Sequence, residues 1–200
     1  MENSYLMHLA KRRSVYSLGG NIPMTKSHIA EVINQAVKLS PSAFNSQSTR
    51  AIVLFNEHHL KLWTLVKDAL KRILTPQDFD NSASKVDACF TPGIGTVLFF
   101  EDSNVIEALQ KAYPSYAENF KTWSEQAAGM AQLSVWTALA SENIGANLQH
   151  YNPIIDESVL KEWDIPKSWK LTAQLPFGSI EGCPEEKTFI TDEVRFKVIK

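Results

Sequence analysis

The stretch QAAGMAQLSVWTALAS, residues 126–141, carries no charged side chain and lies between Glu125 and Glu142. It belongs to the longest helical pattern of the chain, which runs from about 117 to 143. A helix without charges over several turns is buried on most of its circumference. In a chain of 200 residues, such burial is easiest when a second subunit covers the outer side. The stretch therefore predicts a long buried helix at a dimer interface.

Shorter elements surround this helix, and they follow the spacing of apolar residues. Further helices are predicted at about 3–12, 25–39, 58–73, 103–111 and 156–163. Short apolar runs predict buried strands at 51–55, 95–100 and 171–177. A helix-rich chain with a few separated strands indicates an α+β fold, or α/β sandwich, in a single domain spanning residues 1–200.

Composition and charge exclude several classes of protein. Hydrophobic residues make up 44% of the chain and charged residues 21%, which is close to the globular average. Twenty basic residues oppose 22 acidic ones, so neither nucleic acid nor an anionic membrane is an expected partner. The uncharged run is shorter than the roughly 20 apolar residues of a membrane span. The N-terminal segment lacks the apolar stretch of a secretory signal, and we expect a cytoplasmic protein.

Cysteine, histidine and glycine patterns narrow the chemistry further. Cys89 and Cys183 lie far apart and outside any CxxC or Cys/His cluster, so reduced thiols in a reducing compartment are expected. The five histidines show no HExxH or comparable ligand spacing, and we expect no metal site. No predicted strand is followed by GxGxxG or GxxxxGK[ST], so a Rossmann site and a P-loop are not supported.

Four short segments could carry chemistry. The first, KRRS at 11–14, places three cations beside a hydroxyl, and arginine can grip a phosphate with two parallel hydrogen bonds. The second is the polar loop SPSAFNSQ at 40–47, and the third is NIGANLQHYNP at 143–153, where Gly145 can end the long helix. The fourth is LPFGS at 175–179, followed by Lys187. Taken singly, each is better explained as a helix end, a turn or a strand end on the surface.

In their order and spacing, these segments resemble the nitroreductase family of FMN enzymes over nearly the whole chain. The segment ALASENIGANLQHYNP at 138–153 resembles the short branch that includes fatty-acid-repression-type and copper-induced nitroreductases. The resemblance implies a nitroreductase-like α+β fold with a central, mainly antiparallel sheet flanked by helices. It also implies a homodimer with two FMN sites at the interface. The C-terminal tail from about 182 to 200 is expected to wrap the partner subunit.

The resemblance assigns residues to the FMN site. The implied cofactor-binding residues are Arg12, Arg13, Ser14, Tyr16, Pro41, Ser42, Asn45, Gln47, Gly145, Ala146, Asn147, Leu148, Gln149, Gly178 and Lys187. In family terms Arg12, Arg13 and Lys187 hold the phosphate, the 40–47 loop lines the flavin, and residues 145–149 lie beside its ring.

Four residues depart from the family pattern. Tyr16 stands where the family usually has Arg or Lys, and Phe189 replaces the usual second cation near Lys187. Ser48 and Thr49 stand where the family has Pro-Trp.

The activity implied by the resemblance is that of an FMN-dependent oxidoreductase. It would pass electrons from NADH or NADPH to nitroaromatic or quinone-type small molecules by a ping-pong mechanism. Phe120 and Trp123 could stack a flat acceptor or pack in the core or dimer contact, and His150 is a further substrate candidate. No residue is assigned as the catalytic acid or base, because water can supply the protons. The alternatives are a flavin-binding stress-response or regulatory protein with little turnover, and a protein without flavin.

Overall fold

A five-stranded antiparallel sheet runs through the centre of the computed structural model, which describes residues 3–200. The strands are β1 (Leu18–Gly19), β2 (Thr49–Phe55), β3 (Gly95–Asp102), β4 (Gly145–Ala146) and β5 (Trp169–Ile180). Their order is β1-β5-β3-β2, and β4 pairs with β5 near the C-terminal end of β5. All four pairings of these strands are antiparallel, which confirms the predicted α+β fold.

Helices cover both faces of the sheet. They are α1 (Ser4–Lys11), α2 (Lys26–Lys38), α3 (Asn56–Ile73), α4 (Pro76–Cys89), α5 (Ser103–Ala112), α6 (Ala117–Ser141), α7 (Asp156–Glu162) and α8 (Asp192–Arg195). Two short 3-10 turns, Ala43–Asn45 and Pro114–Tyr116, lie between them. Within residues 3–200, no helix combines the length and the apolar character that a membrane crossing requires.

Strand β3 separates two hydrophobic cores. Its eight residues are all buried, and their side chains alternate between the two faces, as strand geometry requires. Val97 and Phe99 join the core beneath α2 and α6, whereas Leu98 and Phe100 join the core beneath α3, α4 and α7. The continuous apolar run of β3 is therefore explained by helices on both sides.

Helix α6 has one buried side and one uncharged exposed side. Val135 and Leu139 are fully buried against α2 and the sheet. On the other side Gly129 is open, with no atom near the position of an added Cβ, and Met130 and Leu133 are each 40% exposed. The long helix is thus confirmed, and its apolar outer strip is uncovered in a single chain.

Sequence patterns missed helix α4, the four-residue helix α8 and two short strands. Helix α4 buries only Val86 fully, so it lacks the apolar periodicity that predicts a helix. Its start does follow local rules, because the Thr75 hydroxyl accepts a hydrogen bond from the Asp78 amide and Pro76 occupies the first turn. Strands β1 and β4 contain two residues each, which is too short for a periodicity to show.

His59 on α3 is a buried histidine with two hydrogen bonds. Its Nε2 lies 3.2 Å from the Thr91 carbonyl, and its Nδ1 lies 2.8 Å from the Thr96 hydroxyl. Because a carbonyl only accepts, Nε2 carries the proton and Nδ1 accepts from Thr96. Burial lowers the pKa of His59, and the hydrogen bonds to the backbone oppose that change only in part.

This lowered pKa predicts an acid-sensitive fold. The unfolded chain takes up the proton near pH 6.5, so the contribution of neutral His59 is complete above that pH and is lost as pH falls towards the folded-state pKa. Between pH 7.5 and 5.5 we expect the free energy of unfolding to fall by about 1 kcal/mol more in the wild type than in His59→Gln. Urea titrations at both pH values measure the difference. The variant of its exposed neighbour, His58→Gln, should keep the wild-type pH dependence, and equal dependence in all three proteins would refute the prediction.

Candidate functional site

The beginning and the end of the chain meet around one cavity. Strand β1 pairs with the end of β5, and the Glu181 amide donates to the Ser17 carbonyl at 2.9 Å. The chain leaving β5 is thereby directed back along the segment that precedes β1. The resulting cavity, of about 690 Å³, is called the cationic cavity below. It is lined by Arg12, Arg13, Ser14, Tyr16, Ser17 and residues 182–188.

Three cations of the cationic cavity form no ion pair with a carboxylate among the described residues. In the part of the chain that the structure describes, no ion pair includes Arg12, Arg13 or Lys187. Burial lowers the pKa of Arg12, and the adjacent charge of Arg13 lowers it further, yet a guanidinium remains charged at neutral pH. Neighbouring like charges that lack a carboxylate suit an anion, and guanidinium groups match phosphate geometry. The donor set therefore fits a phosphate group.

Several contacts hold these cations in place. The Arg12 guanidinium lies over the ring of Trp136 on α6, with Cζ 4.3 Å from the ring centroid. Arg13 donates to the backbone carbonyl of Glu185, which ties the N-terminal segment to the tail. The Lys187 ammonium lies 5.1 Å from the centroid of Phe189, within cation–π range. Phe189, which departs from the family pattern, thus holds the lysine rather than adding a second charge.

The segment after α6 lies beside Ser14, as its assignment to the same site requires. Ser14 forms a parallel bridge with Ala146, and the Val15 amide donates to the Ala146 carbonyl at 2.9 Å. The buried Asn147 amide group donates to the Val15 carbonyl at 2.8 Å. Hydrogen bonds therefore fix Ala146 and Asn147 against the chain next to Ser14, which itself lines the cationic cavity.

Residues 148–150 follow in the same segment. The Gln149 side chain donates to Asn147 Oδ1 at 2.8 Å, and Leu148 packs against the core beneath α2 and α6. His150 is exposed.

The two glycines assigned to the site serve chain packing. The prediction that Gly145 ends α6 is wrong. Asn143 adopts the left-handed backbone after the helix, with φ of 60°, and Gly145 belongs to β4. Gly178 pairs with Gly145, and a Cβ at Gly178 would lie 2.4 Å from the Gly19 carbonyl oxygen. The close approach that Gly178 permits is made by the chain's own backbone.

The 40–47 loop borders a second cavity, of about 240 Å³, which we call the loop cavity. Its lining includes Pro41, Ser42 and Gln47 from the loop, together with Ala127 and Ala131 from α6. Asn45 is exposed nearby on the same loop. Two clusters of the residues predicted for one flavin site therefore border different cavities of this chain. Residues 145–149 and Gly178 are in the lining of neither cavity.

The loop has a strained backbone that its own hydrogen bonds stabilise. Phe44, Asn45 and Gln47 have φ values of 57°, 49° and 48°, a left-handed conformation that costs about 1–2 kcal/mol per residue with a side chain. The Ser42 hydroxyl accepts from the Gln47 amide at 2.9 Å, and its carbonyl accepts from the Asn45 amide at 3.0 Å. Such strain persists where the surroundings enforce it, as at many functional sites.

Phe44 is the centre of an aromatic cluster. Its ring centroid lies 5.4 Å from Phe120 and 6.0 Å from Trp123, the two predicted acceptor contacts. Phe120 is only 2% exposed, whereas Phe44 is 49% exposed. Phe44 therefore presents the cluster to the outside, a role that sequence reasoning did not single out. Its place within the polar loop that was already chosen was the available signal.

Fold and cavity define the class of protein, and comparison with known sequences gives the family. Residues 9–179 match the sequence model of the Nitroreductase family, and the chain belongs to that family. The nitroreductase FRM2 of Saccharomyces cerevisiae is 33% identical over 193 residues, which cover 96% of this chain and 95% of that protein.

Solved structures agree with this assignment. The nitroreductase CinD from Lactococcus lactis, in complex with chloramphenicol, is 47% identical, with a TM-score of 0.90 over 98% of this chain and 100% of its own. A nitroreductase from Desulfitobacterium hafniense with bound FMN has a TM-score of 0.73 over the full length of both chains. At 15% identity, that second likeness concerns the fold alone.

Proposed function

We propose that this protein is an FMN-dependent oxidoreductase that passes electrons from NADH or NADPH to nitroaromatic or quinone-type acceptors. The observation that carries the proposal is the convergence of Arg12, Arg13 and Lys187 on one cavity in a nitroreductase fold. Bound FMN would supply the two-electron chemistry. Donor and acceptor would use the same place in turn, so a separate nicotinamide motif is not needed.

The chain's own residues bind and orient the cofactor in this proposal. Arg12, Arg13 and Lys187 hold the phosphate, with the Ser14 hydroxyl and Tyr16 on the same cavity wall. Residues 145–149, fixed against Ser14 and Val15, form the side of the site along the ring. Glu185 and Glu186 also line the cavity, and the three cations outnumber them.

We also propose that the protein works as a homodimer built on α6. With 3.6 residues per turn, Met130, Leu133 and Gly129 lie between Ala127 on one flank of the helix and Trp136 on the other. Ala127 borders the loop cavity and Trp136 supports Arg12, so a second copy on this strip would border both clusters. Pro41, Ser42, Asn45 and Gln47 could then complete the site of the other copy.

The C-terminal tail also supports assembly. The tail exposes Phe189, Ile190, Val194, Phe196, Val198 and Ile199, each at least 59%. Large apolar side chains gathered in one segment suit a partner surface. We propose that residues 182–200 wrap the other subunit.

The acceptor class rests on relatives. CinD has been solved with chloramphenicol and with 4-nitrophenol, at 47% and 46% identity to this chain. Both compounds are aromatic and carry a nitro group, and the exposed Phe44 ring could stack such a molecule. We propose a cytoplasmic protein with a role in stress response, acting on small molecules of this kind.

An absorbance spectrum tests the proposal. The purified protein, alone or after addition of FMN, should show the bound flavin bands, and NADH or NADPH added without oxygen should bleach them. Addition of 4-nitrophenol or a quinone should then restore the bands over repeated cycles. A protein that binds FMN but shows no turnover would be a flavin-binding regulator, and one that stays colourless with FMN would contradict the proposal.

A further inference from the structure

A buried carboxylate sits directly behind the 40–47 loop. Glu101, on β3, is 4% exposed, and in the β2–β3 register it lies opposite Thr49. Its Oε2 accepts from the Ser48 hydroxyl and its Oε1 from the Thr49 hydroxyl, both at 2.5 Å. Each carboxylate oxygen therefore holds one of the two residues that replace the family's Pro-Trp.

Arg50 and Asp102, the next residues on β2 and β3, also hold the chain at the end of the loop. Arg50 donates to the Gln47 carbonyl at 2.6 Å, and its other guanidinium nitrogen lies 3.1 Å from Asp102 Oδ2. The Asp102 amide donates to the Ser48 carbonyl at 3.0 Å. The end of β3 thus holds the chain at three successive positions immediately after the strained loop.

Charged groups around Glu101 do not replace these contacts. A cavity of about 240 Å³ adjoins Glu101 and is also lined by Glu107 of α5, Lys121 and Glu125 of α6, and Lys170 of β5. Within residues 3–200, no ion pair to Glu101 is formed. Burial raises the pKa of Glu101, while the Ser48 and Thr49 hydroxyls oppose that rise.

We propose that Glu101 is a positioning residue that fixes the 42–47 loop for FMN by holding the Ser48 and Thr49 hydroxyls. A Pro-Trp pair would restrict the loop exit through a rigid ring. This chain has no proline at the loop exit and uses a two-oxygen hydrogen-bonded grip instead. The inference rests on the proposed function, because the loop matters for FMN only if FMN is bound.

Thr49 offers a matched pair of variants. Thr49→Val keeps the shape and removes the hydroxyl, whereas Thr49→Ser keeps the hydroxyl. We expect Thr49→Val to raise the Kd for FMN about tenfold and Thr49→Ser to stay within about twofold of the wild type. Quenching of flavin fluorescence during titration of the full-length protein measures both.

Glu101→Gln tests the carboxylate itself. The two hydroxyls bond different oxygens of Glu101, and in glutamine one of these is replaced by an NH2 group that cannot accept. One hydroxyl therefore loses its acceptor, and a rise in Kd similar to that of Thr49→Val is expected. Combining the two substitutions should add less than the sum of the separate effects, because both remove the same contact. Glu107→Gln, which removes an exposed charge at the same cavity, should leave the Kd unchanged.

A further control must separate a general loss of protein stability from a loss of the loop's position. Val86→Ala, in the core beneath α4 and away from both cavities, provides a destabilised control. In the absence of FMN, chymotrypsin should cut after Phe44 several times faster in Glu101→Gln than in the wild type, and Val86→Ala should not change that bond's rate. Mass spectrometry of the fragments identifies the cut.

The outcomes distinguish the two proposals. If the wild type binds no FMN, the proposed function fails and this inference fails with it. If the wild type binds FMN but Glu101→Gln and Thr49→Val bind and are cut like Val86→Ala, only the positioning role of Glu101 is overturned. Should Glu101→Gln not fold, Thr49→Val against Thr49→Ser decides alone.

Discussion

Reversing the charge of both Arg12 and Arg13 to glutamate is expected to raise the Kd for FMN by at least about 100-fold. A hydrogen bond to a charged group contributes about 1.5–3 kcal/mol, and each 1.4 kcal/mol corresponds to about tenfold in affinity. Both guanidiniums line the cationic cavity without a carboxylate partner among the described residues, so the introduced carboxylates would repel the phosphate directly. Flavin fluorescence titration measures the Kd.

The control for this variant is Arg72→Glu, which changes the same type of residue at an exposed position near the end of α3. It should bind FMN like the wild type. Arg12 also packs over Trp136, so thermal unfolding of the double variant must show that the fold survives. Unchanged flavin retention in a folded double variant would place the phosphate elsewhere and remove the basis of the proposed activity.

Leu133→Glu is expected to convert the protein from a dimer to a monomer that no longer retains FMN. A charge buried in an apolar interface without a partner costs several kcal/mol, and twofold symmetry introduces it twice. Leu133 lies at the middle of the exposed strip of α6, between the two clusters. Light scattering after size exclusion gives the mass, and flavin content after desalting gives the retention.

Ile73→Glu is the matched control, because Ile73 is 61% exposed at the end of α3. It should remain dimeric and yellow. A dimeric Leu133→Glu protein would show that α6 is not the interface. A monomeric protein that keeps its flavin would show that one chain completes the site without a second copy.

The sequence predicts the architecture where burial is strong. The run GTVLFF marks β3 because that strand is buried on both faces, and α2 shows its apolar stripe and its Thr25 cap, whose hydroxyl accepts from the His28 amide. Pairing between strands that are distant in the sequence leaves no comparable local pattern. The two-residue strands and the register that places Glu101 opposite Thr49 depend on contacts between distant segments, which no local pattern encodes.

Prediction of the candidate site from sequence has the same limit. The family resemblance assigns Arg12, Arg13 and Lys187 to one phosphate site, because KRRS and Lys187 taken singly indicate only a helix end and a surface lysine. The β1–β5 pairing shows how the two ends of the chain meet. Gly178 shows the limit of such reasoning: a glycine indicates the close approach of another group, and only the fold shows that the Gly19 backbone approaches it.

Helix α4 escaped sequence detection because it contributes so little to the core, and the same property has a consequence for how the protein opens. It is held chiefly by the fully buried Val86, by Phe79 at the core edge and by the Lys67–Asp87 ion pair at 2.6 Å. Segments with few buried contacts unfold locally at low free energy. Its amide hydrogens should therefore exchange with solvent well before those of α6, and release of α4 would open the core that contains Val86 to water.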